Sequence, residues 1–199
     1  MEFQNSQTYL NLARSFAGES QAGMRYQLIA KLATAEGYAT LADTIRTIAK
    51  NETYHAKTFF NTMLQKAGSA ENVDLQNAGY PFHFGTLEEN LKFAAEDERA
   101  EFEEIYSAFA KTAKEEGYPD VAALYEMVAG VEKEHNIIFK YLHDAYSTNT
   151  LFKSEKPTLW ICSECGYRAT TKEAWHICPL CKASQGYVEI HLPFEKDKI

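Results

Sequence analysis

The chain has 199 residues, 45% of them hydrophobic, and a formal net charge of −8. That is enough to bury one core and leave roughly forty residues for a small second module. The acidic balance excludes a nucleic acid or an anionic membrane as the main partner, because either needs a basic face. The segment Met1-Glu-Phe-Gln-Asn-Ser-Gln7 lacks the basic stretch and apolar run of a signal peptide, and no stretch reaches the ~18 apolar residues of a membrane span. A cytoplasmic protein is expected, and in that reducing compartment four cysteines grouped as two CxxC pairs point to metal before disulfides.

Taken in order, positions Leu12, Phe16, Glu19, Tyr26, Ala30 and Ala33 form one helical stripe within a helix from about Ser6 to Ala35. After a short break at Glu36-Gly-Tyr38, a second helix runs to about Ala67, striped by Leu41, Ile45, Ile48, Glu52, His55 and Phe59. So short a connection implies an antiparallel hairpin. Gly68 to Gly85 is too long for a tight turn and reads as a crossover, which predicts the ferritin-like form of the four-helix bundle. Thr86-Leu-Glu-Glu89 has the pattern of a capping box. It opens a third helix whose stripe is Leu87, Leu91, Ala94, Glu98, Glu101, Ile105 and Phe109. The fourth helix starts near Pro119 and carries Val121, Tyr125, Val128, Glu132, His135, Phe139 and Leu142. A bundle domain over 1–147, a linker over 148–157 and a small β-rich metal module over 158–199 complete the expected organisation.

The second and fourth helices share Glu-x-x-His, as Glu52/His55 and Glu132/His135. With 22 Glu and 6 His, chance alone produces about one such spacing, and Glu173/His176 reads as that accident. The duplication carries the weight. At a constant offset of eighty, residues 36–60 and 116–140 agree at Glu36, Gly37, Tyr38, Ala42, Ala49, Glu52, His55 and Phe59.

If the four stripes face one another, Glu19, Glu52, Glu98, Glu101 and Glu132 share the bundle core with His55 and His135. One uncompensated buried charge costs several kcal/mol, and like charges add repulsion. Two divalent cations would offset five carboxylates and coordinate their oxygens directly. A Glu from each of two helices with an ExxH from each of the other two is a di-iron or di-manganese arrangement, and imidazole beside carboxylate favours a redox-active metal. Glu96, Asp97, Glu103 and Glu104 lie off the stripe and read as a solvated face; His83 and His143 read as surface or loop residues. Tyr26 and Tyr106 stand one or two turns from Glu19 and Glu98, either as core residues or as donors to a metal-bound carboxylate.

Cys162-Ser-Glu-Cys165 and Cys178-Pro-Leu-Cys181 suit two knuckles gripping one tetrahedral ion, zinc or iron. The balance of acidic and basic residues from 157 onward leaves no basic patch of the kind a nucleic-acid ribbon needs.

On Phe16-Ala-Gly-Glu-Ser-Gln-Ala22, the two ExxH pairs, Asn90-Leu-Lys92, Cys165-Gly-Tyr167 and Cys178-Pro-Leu-Cys181, the chain resembles the rubrerythrins over nearly its whole length. The resemblance implies a non-haem di-iron site in the bundle and a rubredoxin-like iron-tetrathiolate site behind it. It further implies reduction of hydrogen peroxide to water in oxidative-stress defence. Glu52 and Glu132 then match the bridging carboxylates, Glu19 and Glu98 terminal ligands, and His135 a ligand of one iron. Glu101 and His55 would exchange at the other iron with redox state, and the catalytic set would be Glu101, His55, Tyr26 and Tyr106. Lys182 departs from the family pattern, which has Gly after the second knuckle. No GxGxxG is present, so an external donor is implied, either a rubredoxin or an NAD(P)H-dependent reductase, and at least a homodimer is expected. The rival readings are a ferroxidase or iron-storage protein, a dioxygen reductase, and a scaffold with structural metals.

Overall fold

The computed structural model describes residues 2–68, 72–76 and 78–194. Residues 69–71 and 77 of the expected crossover and 195–199 of the expected C-terminal module lie outside the described residues. α1 (Gln7–Ala35) and α2 (Ala39–Ala67) pack together as one hairpin. The second hairpin sets α3 (Leu87–Ala100) and α4 (Tyr106–Glu115) against α5 (Pro119–Ser147). Between α3 and α4 runs one π-helical turn, Glu101–Ile105.

The helix ends follow from local chemistry. Thr86 and Glu89 form the reciprocal capping box that opens α3, and Pro119 stands in the first turn of α5. At the start of α1, Ser6 accepts the Tyr9 amide, and the Glu116 carboxylate accepts the Gln7 and Thr8 amides at 2.9 and 2.7 Å. An anion there satisfies orphan donors and complements the helix dipole. Both hairpins turn through Glu-Gly-Tyr, with Gly37 and Gly117 at φ 89° and 86° and the tyrosine amides bonded back to Ala33 and Ala113. Glycine reaches this left-handed conformation without a Cβ penalty. Three of the eight repeated identities are therefore turn chemistry.

Along α2 and α5 the expected stripes face inward as read. Two corrections apply elsewhere. Phe16 is 38% exposed and packs on Phe60 at the surface. In the third helical segment Leu87, Leu91, Ala94 and Glu98 are buried, but past the π turn the buried residues are Tyr106, Ala110 and Ala113. Ile105 is 39% exposed and Phe109 half-buried. The cause is one extra residue in the π turn, which rotates everything after it by about one position.

The apolar interior is split in two. One cluster, with Leu12, Phe59, Tyr106, Val121 and Tyr125, fills the bundle end where α1 begins. The other, with Ile29, Leu41, Ile45, Leu91, Phe139 and Leu142, fills the opposite end and extends into Leu151, Phe152, Trp160 and Val188 of the C-terminal module. Glu19, Glu52, Glu98 and Glu132 lie between them in sequence on every helix.

The C-terminal module is an antiparallel ribbon of β1 (Lys153–Ile161) and β2 (Arg168–Glu173), paired Trp160 to Ala169 and Leu159 to Thr170. The expected linker is shorter than read: β1 begins at Lys153, and Leu151 and Phe152 are buried. Lys153-Ser-Glu-Lys-Pro157 looked unstructured because a two-stranded ribbon in water needs no apolar face, and its pairing is irregular between Lys153 and Thr158. Among the described residues no helix is long and apolar enough to cross a membrane.

Gly186 fixes the module to the bundle. A Cβ built there would lie 1.7 Å from the Gly37 carbonyl oxygen, and next to it Thr40 Oγ1 donates to the Val188 carbonyl at 2.6 Å. Gly186→Val is expected to cost about 1–3 kcal/mol by overpacking against backbone. Thermal unfolding would show this as a fall of several degrees, whereas the same change at exposed Gly79, where a Cβ meets nothing within 4 Å, should leave the midpoint in place.

Candidate metal centres

The ExxH spacing puts each Glu and His one helical turn apart on one face, and the antiparallel packing of α2 and α5 brings the two pairs together. Two groups result. Glu19, Glu52, His55 and Glu132 form one, and Glu52, Glu98, Glu132 and His135 the other; within each group the ligand atoms lie within 4.8 Å of one another.

Glu52 and Glu132 belong to both groups and divide their oxygens between the histidines. His55 Nδ1 is 3.0 Å from Glu52 Oε2 and 2.9 Å from Glu132 Oε1. His135 Nδ1 is 2.9 Å from Glu52 Oε1 and 2.8 Å from Glu132 Oε2. Each therefore offers one oxygen to either group. Glu19 closes the first group and Glu98 the second.

Whether the donors fit metal can be tested on the atoms they leave unmatched. Glu19 Oε2, Glu52 Oε1, Glu98 Oε2, both Glu132 oxygens and His135 Nδ1 are buried without an aligned hydrogen-bond partner. Of the close His–Glu approaches, His55 Nδ1 to Glu52 Oε2 is an aligned hydrogen bond at 3.0 Å; the others bring charges together without pointing a hydrogen along a lone pair. Lone pairs converging on a common point, and not on one another, are what a pair of cations requires, and orphaned acceptors in this number are otherwise rare in an interior.

The outer atoms are tied down. Tyr26 donates to Glu98 Oε1 at 2.5 Å, and Tyr106 donates to Glu19 Oε1. Both tyrosines are buried against aromatic neighbours, Tyr26 on Phe139 and Tyr106 on Phe59. Sequence reading missed Asn51, whose amide stands 3.2 Å from His135 Nε2 and turns Nδ1 toward the carboxylates. Its only signal is an amide residue inside a helix interior, next to Glu52.

Glu101 stands apart. It falls outside both groups, in the π turn, half-buried and lining a cavity with Arg14, Gly18, Tyr80 and Tyr106. Burial and then the charge of Glu19 push its carboxyl well above the usual range. The remaining assignments fall outside the centre: His176 is 80% exposed near Glu173, and His83 is a surface partner of Asp97 at 3.2 Å.

Without metal, protons hold this cluster together. Burial works against a charged His55, but Glu132, Glu19 and Glu52 outweigh it and raise the imidazole to about 12; His135 is raised in the same way. Burial and the neighbouring Glu52 push Glu98 up to about 8, and burial pushes Glu19 up as well. The raised His55, His135 and Glu98 favour bound protons at pH 7, and Glu19 is shifted in the same direction. Binding of two divalent ions to the metal-free protein is expected to release protons from this cluster. Calorimetry at pH 7 in buffers of different ionisation enthalpy should show this release, and affinity should climb as pH rises toward 8.

The four cysteines form a third group. Cys162 and Cys181 sulfurs are 3.7 Å apart, as are those of Cys165 and Cys178. The two knuckles match in backbone: the Gly166 amide bonds the Cys162 carbonyl at 2.8 Å and the Lys182 amide the Cys178 carbonyl at 3.0 Å. Gly166 has φ 72° and Lys182 φ 69°, so Lys182 takes the left-handed conformation that glycine would take without strain. Four thiolates at this spacing accept one tetrahedral ion.

The family model described as Rubrerythrin matches residues 11–150, and that described as Rubrerythrin, rubredoxin-like domain, matches residues 160–189. Rubrerythrin-1 of Clostridium acetobutylicum is 38% identical over 185 residues, covering 93% of this chain and 94% of that protein. The rubrerythrin of Clostridium perfringens is 39% identical over 186 residues, with 93% and 94% covered. Among solved structures, fully reduced, all-ferrous nigerythrin aligns with a TM-score of 0.62 at 22% identity, covering 95% of this chain and 91% of that one, a likeness of fold.

Proposed function

We propose, from the premise that this chain belongs to the rubrerythrin family, that it reduces hydrogen peroxide to water at the bundle centre and refills that centre through its four-cysteine site. Membership carries the coarser part: the family are di-iron oxidoreductases with a rubredoxin-like domain and a role in oxidative stress. The peroxidase reaction is supported by one observation above all. A single chain unites two four-ligand groups sharing Glu52 and Glu132 with a four-thiolate site suited to one-electron traffic.

The residues that would hold iron are Glu19, Glu52, His55, Glu98, Glu132 and His135 in the bundle and Cys162, Cys165, Cys178 and Cys181 in the ribbon. Bound there, a ferrous pair supplies the two electrons that cleavage of an O–O bond consumes, and the tetrathiolate iron supplies replacements one at a time. The chain's own groups do the rest. Glu101, held as a neutral acid at the cavity floor, is placed to donate one of the two protons the reaction takes up. Tyr26 and Tyr106 fix Glu98 and Glu19, and the apolar clusters above and below exclude water. His55 in the first group with Glu101 outside it is the arrangement expected for the reduced state, a neutral imidazole suiting ferrous iron and a further carboxylate ferric iron.

The reading places the protein in the cytoplasm, with a rubredoxin or NAD(P)H-dependent reductase as donor. It also pairs subunits so that one tetrathiolate site serves the other chain's bundle. Exposed Met24, Leu28 and Tyr54 on the outer side of the first hairpin support a homodimer.

Anaerobic rapid mixing tests the reaction. Reduced, iron-loaded protein is expected to be oxidised quickly by one equivalent of peroxide, bundle first and tetrathiolate site second, with dioxygen much slower. Equal rates with dioxygen would make it an oxygen reductase, and oxidation seen only with added ferrous iron would make it a ferroxidase. Glu52→Ala should lose the bundle irons. Glu101→Gln should keep both and slow peroxide-driven oxidation by about 10², and in the parent protein the rate should fall as pH rises through the elevated Glu101 value.

A further inference from the structure

The stripe Glu101, Ile105, Phe109 is real but lies at the edge of the core, with Phe109 half-buried against Tyr125. The π turn swings it toward α1, where Arg14, Gly18 and Gln21 form a second stripe at helical spacing, and the crossover at 78–81 roofs the gap between them. The cleft is open to solvent on one side and has a volume of about 260 Å³. Its floor is Glu101 and Tyr106, the latter bonded to Glu19; its walls are Gly18, Tyr80, Ile105 and Phe109.

We infer that this cavity is a substrate subsite for the organic group of an aryl or alkyl hydroperoxide, so that the enzyme reduces ROOH as well as hydrogen peroxide. The inference rests on the peroxidase reading above and extends it to a second class of oxidant.

Size is the first support. Hydrogen peroxide occupies little more than one water, whose share of the liquid is about 30 Å³, while an apolar cavity of about 150 Å³ already holds benzene. The space above Glu101 is several times what peroxide needs and suffices for a phenyl-bearing substituent. Its walls are the second support. Tyr80 is held over Gly18 by donating its hydroxyl to the Arg14 carbonyl at 3.0 Å, and a Cβ on Gly18 would touch the Tyr80 ring at 3.5 Å. That is an ordinary contact distance, so the Tyr80 ring packs directly over the Gly18 backbone as one wall of the space. Polarity is the third. Carboxyl and hydroxyl sit at the floor next to the metal ligands, apolar groups line the sides, and Arg14 keeps a buried Nε–H without an acceptor among the described residues. An –OOH head on the floor with its hydrocarbon against Ile105 and Phe109 satisfies both ends.

The reaction balances as ROOH + 2 e⁻ + 2 H⁺ → ROH + H₂O. The O–O bond breaks, one oxygen leaves on the organic group as an alcohol and the other as water. The electrons are the two that the ferrous pair delivers in the peroxide reaction.

The test uses the full-length, iron-loaded, reduced protein mixed anaerobically with cumene hydroperoxide and, separately, with hydrogen peroxide. The expected rate constant for cumene hydroperoxide is within about tenfold of that for peroxide. Ile105→Trp, which fills the cavity, should lower the ratio of the two at least tenfold, and Tyr80→Ala, which enlarges it, should move the ratio the other way. Calorimetry on the oxidised protein provides a readout independent of turnover. The product alcohol 2-phenylpropan-2-ol should bind the parent chain and Tyr80→Ala, and binding should be lost in Ile105→Trp. Fast oxidation by hydrogen peroxide with cumene hydroperoxide a thousandfold slower and no alcohol binding would overturn the subsite and leave the peroxidase standing. A ratio unmoved by both variants would overturn it too. Slow oxidation by both oxidants would remove the peroxidase reading and this inference with it. Should Ile105→Trp not fold, Tyr80→Ala and the parent's alcohol binding decide alone.

Discussion

Everything in the bundle is arranged around a layer of carboxylates that cannot be buried alone. Glu19, Glu52, Glu98 and Glu132 are each at most 1% exposed, one on every helical arm. In a protein interior such a layer is unfavourable by many kcal/mol unless positive charge enters it. In the metal-free chain the carboxylates favour imidazolium at both histidines, and burial shifts Glu19 and Glu98 toward their protonated forms. With metal, two cations replace those protons. The layer also explains why the apolar interior forms two clusters and not one: no hydrocarbon can continue through a plane of ligands. Stability and metal loading are thus the same problem, and apolar side chains pack above and below the layer.

Legibility in the sequence followed this logic. Glu52, His55, Glu132 and His135 were visible because helical periodicity put charge where only hydrocarbon belongs, and because an eighty-residue duplication repeated the anomaly. Gly37 and Gly117, Thr86, Glu89 and Pro119 were legible because their roles are local. What escaped depends on long-range geometry. Asn51 acts on His135 across 84 residues, and a helical amide carries no mark of that. Lys153–Pro157 folds as a solvated strand, which composition does not separate from linker. Phe16 sits on the expected stripe at its edge, where Phe60 shields it at the surface.

The π turn was recoverable and shows how. Asn11, Leu12 and Glu19 correspond to Asn90, Leu91 and Glu98 at an offset of seventy-nine, whereas Tyr26 corresponds to Tyr106 and Glu36 to Glu116 at eighty. One residue has been added between positions 98 and 106, and the π turn at 101–105 is where the chain absorbs it. A stripe traced at uniform α-helical spacing runs through the insertion and comes out one position wrong, which is why Ile105 and Phe109 were read as core where Tyr106 and Ala110 are.

That single insertion also breaks the symmetry of a duplicated site. In the first half the corresponding stretch is closed: Ala22 is buried, and a Cβ on Gly23 would already stand 3.2 Å from the Ala49 carbonyl, so α1 and α2 leave no room between them. In the second half the wound-out turn carries a carboxylate with no counterpart and opens a cavity beside it. The two metal groups have equivalent ligands but unequal surroundings: the one containing Glu19 and His55 lies below Glu101 and Tyr106, and the one containing Glu98 and His135 lies behind Tyr26 and Asn51. A symmetric pair could hold two ions equally well and offer no preferred direction of approach. With one residue added on one side, the first group gains an acid and a vestibule at Glu101 and Tyr106, whereas the second meets a separate surface pocket only through His135 and Asn51.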